Sequence, residues 1–260
     1  MIKILKYSFS DLMRSKWSYI YLAFYLILGF VLLFLNNDIS KAIITLMNLI
    51  VVLTPLIGTI FGIMYFYNSR EFTELLLAQP VSRSKIFFGQ YLGIALSLSL
   101  SLVIGLGVPF LVYGLFQSAE IFNFIMLLVS GAFLTFIFVA LSVLIGLYNS
   151  NKIKGFGYAI LMWLFLAVIY DGALLIAMVM FRDYPLDNLA LAASFFNPID
   201  LSRIMILLKL DISALLGYTG ALFQQFFGTG TGVVVSMIIL LLWVIFPLVM
   251  MLQKSKSKDF

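Results

Sequence analysis

Six long apolar runs constrain the fold of this chain more than any other feature of its sequence. They cover about residues 17–35, 42–67, 86–115, 121–148, 155–181 and 233–252. Each run is near or above the roughly 20 residues that a helix requires to cross a bilayer. The runs are continuous and do not alternate between apolar and polar residues, which argues against a β-barrel. The sequence therefore predicts an all-α, polytopic membrane protein with six transmembrane helices.

The overall composition agrees with a membrane protein. The chain is 63% hydrophobic and 10% charged, whereas a soluble domain is nearer half apolar and a quarter charged. It contains no Cys and no His, which excludes disulfides, the usual zinc sites and histidine acid–base chemistry. We therefore expect no catalytic residue, no metal site and no cofactor in this chain. We interpret residues 1–260 as a single transmembrane domain.

Lysine and arginine are divided unequally between the two sides that six spans create. One side holds the N-terminus, loop 68–85, loop 149–154 and the C-terminal tail, with twelve basic side chains. The other side holds four, which are Lys41, Arg182, Arg203 and Lys209. Because Lys and Arg accumulate on the cytoplasmic side, we expect both termini there. The predicted location is the bacterial cytoplasmic (inner) membrane.

Residues 1–16 precede the first span and have the pattern of an amphipathic helix. One face carries Ile2, Leu5, Phe9, Leu12 and Met13, and the basic side chains lie largely off it. Such a helix is expected to lie on the membrane surface. No small-residue cleavage site follows the first span, so we do not expect a signal peptide.

A charged stretch, "EFTELLLAQPVSRSKIFFGQ" at 71–90, interrupts the second and third apolar runs. Its apolar side chains and one amide share a helical face at Phe72, Leu75, Leu76 and Gln79. Glu71 and Glu74 lie in the first turn, where the helix dipole favours anions. Pro80 is expected to end this helix, and Ser82 or Ser84 to cap the next one. The segment 68–85 thus predicts a short cytoplasmic helix followed by a sharp turn.

The residues of this stretch leave two interpretations open. It is either an interfacial loop, anchored at the membrane by Arg83 and Lys85, or a docking element for a cytoplasmic partner. In the second case Phe72 and its neighbouring leucines would enter a groove of that partner.

The segment 182–232 between the fifth and sixth spans is too long for a simple loop. Within "FFNPIDLSRIMILLKL", Asn197 is placed to cap a helix that starts at Pro198, with Asp200 in its first turn. We expect this helix to lie along the outer membrane surface or to cap the bundle. Its role is either a lid over the spans or a surface for an extracytoplasmic partner. The residues assigned to that surface are Asn197, Pro198, Asp200 and Arg203.

Asp171 is the only charged residue well inside a predicted span, and Tyr170 precedes it. A carboxylate at this depth is costly unless it is paired, hydrated or protonated. Tyr170 and Asp171 therefore form a candidate intramembrane site. Asp171 would either contact a substrate pathway or a gate, or make a hydrogen bond between helices.

The stretch "SREFTELLLAQPVSRSKIFFGQYLG" resembles the cytoplasmic signature of ABC-2-type transporter permeases. The matching positions are Glu71, Leu75, Leu76, Pro80, Ser82, Arg83 and Gln90. The chain departs from the family pattern at Phe72-Thr73, where a Gly-Ser/Thr pair is frequent. The resemblance implies a coupling helix that sits in a cleft of a separate ATPase subunit, which binds ATP and magnesium. The coupling residues it implies are Glu71, Phe72, Glu74, Leu75, Leu76, Pro80 and Arg83.

A narrower resemblance, to NosY-type permeases, is carried by "NPIDLSRIMILL" and by the pair Tyr170-Asp171. These permeases belong to the copper-processing transporter of nitrous oxide reductase maturation. The resemblance implies a NosF-type ATPase, a second copy of this chain and a periplasmic NosD-type protein as partners, in contact with membrane lipids and without nucleic acid. The glycine pairs Gly58-x3-Gly62 and Gly89-x3-Gly93 permit close helix approach and lend support to a homodimer.

Three other functions compete with this one. The chain could be an ABC-2 exporter of a lipophilic compound, a lipid or a polysaccharide, or a passive membrane anchor for an assembly complex. An intramembrane aspartyl protease would require two intramembrane aspartates, and the sequence offers only Asp171. A Walker motif is absent from the sequence, so ATP hydrolysis is expected in a partner.

Overall fold

The computed structural model describes residues 2–36, 38–181, 187–210 and 217–257, and among these residues it contains helices and no strand. The α-helices in chain order are α1 (Ile2–Arg14), α2 (Lys16–Asn36), α3 (Ile39–Asn68), α4 (Arg70–Leu77), α5 (Arg83–Val112), α6 (Ile121–Tyr148), α7 (Lys152–Leu164), α8 (Tyr170–Met180), α9 (Asp187–Phe195), α10 (Pro198–Leu210) and α11 (Gly217–Ser257). The prediction of an all-α polytopic protein is confirmed.

Six helical segments of the described chain are long and apolar enough to cross a membrane, as predicted. They are Lys16–Asn36, Ile39–Asn68, Arg83–Val112, Ile121–Tyr148, Lys152–Met180 and Gly230–Lys256. The fifth span joins α7 and α8 through a π-helical turn at Phe165–Ile169. The sixth span begins just after a kink at Gly228, whose φ of 69° suits glycine. The bounds differ from the predicted ones by a few residues, because flanking polar residues continue the helices.

α6 occupies the centre of the bundle, where it contacts α3, α5, α7, α10 and α11. Its closest neighbour is α3, which presents two glycines to it. A Cβ on Gly58 would lie 3.6 Å from the Thr135 carbonyl oxygen, and one on Gly62 would overlap the Ser142 hydroxyl. This glycine pair therefore serves packing within one chain.

α1 packs along the first turns of α5 through a second pair of glycines. A Cβ on Gly89 would lie 3.1 Å from the Ile4 side chain, and one on Gly93 would lie 2.7 Å from Ser8 Cβ. The buried face is Ile4, Ser8 and Leu12, whereas Ile2 of the predicted apolar face is 76% exposed. The face is rotated because a small residue, Ser8, fits against the glycines. Both glycine pairs are thus used inside the chain and give no support to a homodimer.

Several segments meet at one end of the bundle, which we call the α4 end. The ring of Tyr7 on α1 stacks on Phe72 of α4 at 4.4 Å between centroids. The Tyr67 hydroxyl, at the end of α3, donates to the Asn149 carbonyl oxygen at 2.7 Å. Ser84 contacts the last turns of α11. The described parts of the chain near both termini therefore lie on the same side as α4.

The α4 end carries most of the positive charge. The described basic residues of the segments that meet there are Lys3, Lys6, Arg14, Lys16, Arg70, Arg83, Lys85, Lys152, Lys154, Lys254 and Lys256. Of the four basic residues assigned to the opposite side, Arg203 is instead half-buried in an ion pair, and Arg182 lies outside the described residues. The described Lys and Arg residues are therefore concentrated at the α4 end.

α10 is buried inside the bundle and does not lie along its outer surface. Every described side chain from Pro198 to Leu208 is buried except that of Arg203, which is half-buried. The helix contacts α3, α6 and α11. The expectation that this helix lies along the outer surface is therefore wrong, because α10 is apolar on nearly every side and packs against three other helices.

α9 and α10 form a hairpin whose break reaches the middle of the bundle. The Asn197 side-chain amide donates to the Leu166 carbonyl oxygen at 2.9 Å, and the Trp243 indole donates to the Phe195 carbonyl oxygen at 2.9 Å. Leu166 and Trp243 are the middle residues of the fifth and sixth spans. The break between the two helices therefore lies about halfway through the bundle, far below its surface.

Candidate functional site

The short helix α4 connects the second and third spans, where the charged stretch predicts a helix. It runs from Arg70 to Leu77, so Gln79 lies beyond its end, and the chain turns at the exposed Pro80. Arg70 and Glu74, one turn apart, form an exposed ion pair at 2.9 Å. Such a pair contributes at most about 1 kcal/mol, so it does not fix α4 in place.

A buried hydrogen bond fixes α4 to the third span. The side-chain amide of Gln90, on α5, donates to Thr73 Oγ1 at 2.9 Å. The Thr73 hydroxyl in turn donates to the Ser69 carbonyl oxygen at 2.8 Å. Thr73 is 2% exposed and Gln90 is 4% exposed. Sequence reasoning gave Thr73 no role, although a Thr in the middle of a short helix is a residue that often bonds to the backbone.

The coupling residues implied by the sequence divide into two groups. Leu75 is 69% exposed and points away from the bundle, on the side of α4 opposite the buried Thr73. Phe72 is half-buried, because it stacks on Tyr7 of α1. Of the others, Glu71, Glu74 and Pro80 are exposed, and Leu76 and Arg83 are half-buried. α4 thus exposes one large apolar side chain, Leu75, among acidic ones. Its Phe72 and Thr73 side chains contact the rest of the bundle.

We expect Thr73→Val to lower the free energy of unfolding by about 1–3 kcal/mol, because it leaves the buried amide of Gln90 without an acceptor. The measurement is thermal unfolding of the purified chain in detergent. The matched control is the double variant Thr73→Val with Gln90→Leu, which removes both polar partners and is expected to recover part of the loss. Equal losses in the single and double variants would contradict this coupling.

A second cluster of polar side chains lies where the α9–α10 hairpin meets the fifth span. The Arg203 guanidinium donates from Nη1 to Asp171 Oδ2 at 3.2 Å and to Asp200 Oδ1 at 3.0 Å. The Asn197 amide donates to Asp171 Oδ1 at 3.1 Å. Asp171, Asn197, Asp200 and Arg203 therefore form one network, which we call the hairpin network.

The π-helical turn of the fifth span makes room for this network. The Tyr170 amide donates to Phe165 O, five residues back, rather than to Leu166 O. Leu166 O accepts instead from the Asn197 amide, while Asn197 Oδ1 accepts from the Ile199 amide at 3.1 Å and caps α10. One side chain thus starts the helix, as predicted, and joins it to the fifth span.

The site residues that the sequence predicted in this region make their contacts within the chain. Both carboxylate oxygens of Asp171 accept hydrogen bonds, which favours the interhelical interpretation of this residue over a substrate contact. Tyr170 donates to the Ala193 carbonyl oxygen at 2.7 Å. Asn197, Pro198 and Asp200 are buried, and this burial counts against their assignment to a partner-binding surface. An extracytoplasmic partner would have to contact other residues, on the side opposite the α4 end.

The hairpin network holds two carboxylates and one guanidinium. Opposite charges within hydrogen-bond distance offset part of the cost of burying each charge halfway through a membrane. The network can therefore fix the hairpin against the fifth span. Among the described residues, no three His, Cys, Asp or Glu side chains lie close enough to hold a metal ion.

Fold and site together define a polytopic helical membrane protein with a short exposed helix between its second and third spans. The chain belongs to the ABC-2 family of transporter proteins, whose model matches residues 32–255. It is therefore a permease subunit of an ABC transporter. It is 28% identical over 186 residues, 68% of this chain and 67% of the other, to the probable ABC transporter permease protein NosY of Pseudomonas aeruginosa. The family resemblance of the charged stretch is thereby confirmed.

Proposed function

We propose that α4 is the coupling helix of this permease and docks into a separate ATPase subunit, which binds ATP and magnesium. The observation that carries this proposal is the exposure of Leu75, at 69%, on a helix held to the bundle by its opposite face. A large apolar side chain exposed beside Glu71 and Glu74 fits a groove on a partner. The excess of Lys and Arg at the α4 end supports a cytoplasmic position for it.

Two contacts would carry motion from α4 into the membrane. Phe72 stacks on Tyr7 of α1, and Thr73 is bonded to Gln90 of α5. α1 and α5 are themselves in close contact at Gly93, so they would move as one body. A displacement of α4 by the ATPase would therefore reach α1 and the third span together.

The test is Leu75→Asp, a substitution that puts a charge at the centre of the proposed contact. We expect the ATPase subunit to be lost from the purified complex, with at least a tenfold drop in co-purified ATPase, because a desolvated carboxylate opposes docking. Thermal unfolding of the permease should not change, since Leu75 makes few contacts in the chain. The matched control is Phe116→Asp, at a side chain that is 75% exposed at the opposite end. Equal co-purification of ATPase with both variants would refute the docking role.

We further propose that the transporter serves maturation of the copper centre of nitrous oxide reductase. The support is the similarity to the probable NosY permease together with the "NPIDLSRIMILL" helix, which organises the hairpin network. The partners in this proposal are a NosF-type ATPase, a periplasmic NosD-type protein and a second copy of the chain. The fifth span is only 11% buried, against 61% in α5, and offers a surface for that copy.

Deletion of the chain from its own cell tests this narrower role. We expect nitrous oxide reductase to accumulate without a complete copper centre, and the wild-type chain to restore it. Leu75→Asp should fail to restore it, whereas Phe116→Asp should succeed. Normal nitrous oxide reductase in the deletion strain would instead favour an ABC-2 exporter of a lipophilic compound, whose loss would appear in the exported lipids or polysaccharides.

A further inference from the structure

A cleft of about 260 Å³ opens at the α4 end between α1, α3 and α4. Five of its lining residues are aromatic, namely Tyr7, Trp17, Phe61, Tyr65 and Phe72. Asp11 is the one charged residue among the described residues that line it. Aromatic faces beside a carboxylate attract a cation, and an ammonium group is the cation that such pockets commonly hold.

The Tyr65 and Ser69 hydroxyls lie in the buried wall of the cleft, and Tyr65 as a whole is 8% exposed. The Tyr65 hydroxyl lies near Asp11, so the carboxylate stands against the aromatic wall of the cleft.

A second, apolar groove lies next to the cleft, along the spans. It has a volume of about 210 Å³ and lies between α2 and α3. Its lining residues are Trp17, Ile20, Tyr21, Phe24, Leu53, Ile57 and Phe61. Trp17 and Phe61 line both spaces, so the cleft and the groove adjoin each other, and we treat them as one site. This site is polar at the α4 end and apolar within the spans, which is the polarity of a membrane lipid.

We propose that this site binds a phospholipid with an ammonium headgroup, of the phosphatidylethanolamine class. The ammonium would lie beside Asp11 among the aromatic rings, and one acyl chain would lie in the groove between α2 and α3. The exposed Lys16 is adjacent in sequence to two lining residues, Ser15 and Trp17, and would supply a positive charge for the phosphate. An anionic headgroup without an ammonium would place its negative charge near the Asp11 carboxylate, with no positive charge between them. The site includes Phe72 of α4 but not Leu75, so a substitution at Leu75 tests ATPase docking without changing the lining of the lipid site.

The test is native mass spectrometry of the delipidated chain with phosphatidylethanolamine or phosphatidylglycerol added at equal concentration. We expect phosphatidylethanolamine to be retained at least tenfold better. Asp11→Asn should abolish this preference, and Ile57→Trp should reduce retention of phosphatidylethanolamine by filling the groove. The matched control is Ile125→Trp, at an exposed α6 position outside the site, which should bind as the wild type does.

Each alternative result would overturn the proposal. Equal retention of the two lipids by the wild-type chain would refute recognition of the headgroup. Phosphoethanolamine alone binding as tightly as the lipid would refute the acyl-chain contact and assign the cleft to a free amine. The Leu75→Asp variant should keep the lipid preference, so failure of lipid binding and failure of ATPase docking are distinguishable.

Discussion

Replacing Arg203 with Leu is expected to unfold or displace the α9–α10 hairpin. The substitution removes the donor shared by Asp171 and Asp200, which leaves two carboxylates without a positive partner halfway through the bundle. Removing one partner of a buried ion pair typically costs about 3–5 kcal/mol. Because the Arg203 and Asp171 side chains keep 31% and 24% exposure, we expect the free energy of unfolding to fall by about 3 kcal/mol.

The measurement is the fraction of monodisperse chain that remains after heating in detergent. The matched control is Arg70→Leu, which breaks an exposed Arg–Glu pair whose side chains are 47% and 46% exposed. That control should change the free energy of unfolding by no more than about 1 kcal/mol. A second variant, Asp171→Asn in the Arg203→Leu background, removes one uncompensated charge and is expected to recover stability. If Arg203→Leu and Arg70→Leu behave alike, the network does not hold the hairpin.

Gly93→Ala is expected to separate α1 from α5. The added methyl group would lie 2.7 Å from Ser8 Cβ and 2.9 Å from the Phe9 backbone nitrogen, so the backbone of α1 would have to move. Overpacking of this kind costs about 1–3 kcal/mol, which exceeds the roughly 1 kcal/mol gained when Ala replaces Gly in a helix. We therefore expect a lower unfolding temperature and faster proteolysis at the α1–α2 junction near Ser15.

Gly107→Ala provides the control on the same helix. No atom lies within 4 Å of a Cβ at Gly107, so that variant keeps the helix-propensity gain without a clash. It should be as stable as the wild type or slightly more stable, with unchanged proteolysis. The unfolding temperature and the rate of cleavage are compared for the two variants under identical conditions. Equal behaviour would show that α1 tolerates displacement from α5, and would remove α1 from the proposed coupling path.

These two predictions bear on the two ends of the proposed mechanism. The Gly93 contact joins α1 to α5 near the α4 end, where the proposed ATPase would act. The hairpin network joins α10 to the fifth span halfway through the bundle. α6 and α3 lie between these regions and contact α10 directly. A displacement that starts at α4 therefore has a packed route to the hairpin.

The sequence by itself determined those features that depend only on residues close together in the chain. Length and continuity of apolar runs predicted six spans, because a bilayer of fixed thickness requires a fixed number of apolar residues. The N-cap at Asn197 and the helix end before Pro80 also followed from the residues, since capping and proline geometry act within a few positions. The charged stretch also carried enough information to indicate the family.

The tertiary structure alone decided which surfaces meet. An apolar helix that lies on a membrane and one that enters a bundle have the same sequence pattern, so the position of α10 could not be predicted. Arg203 bonds to Asp171, 32 residues away, and Gln90 bonds to Thr73, 17 residues away. Hydropathy contains no information about such distant pairs. The glycine pairs likewise predicted close approach but not the neighbour, which proved to be α6 for one pair and α1 for the other. A small residue permits contact with any helix, and only the packing of the whole chain selects one.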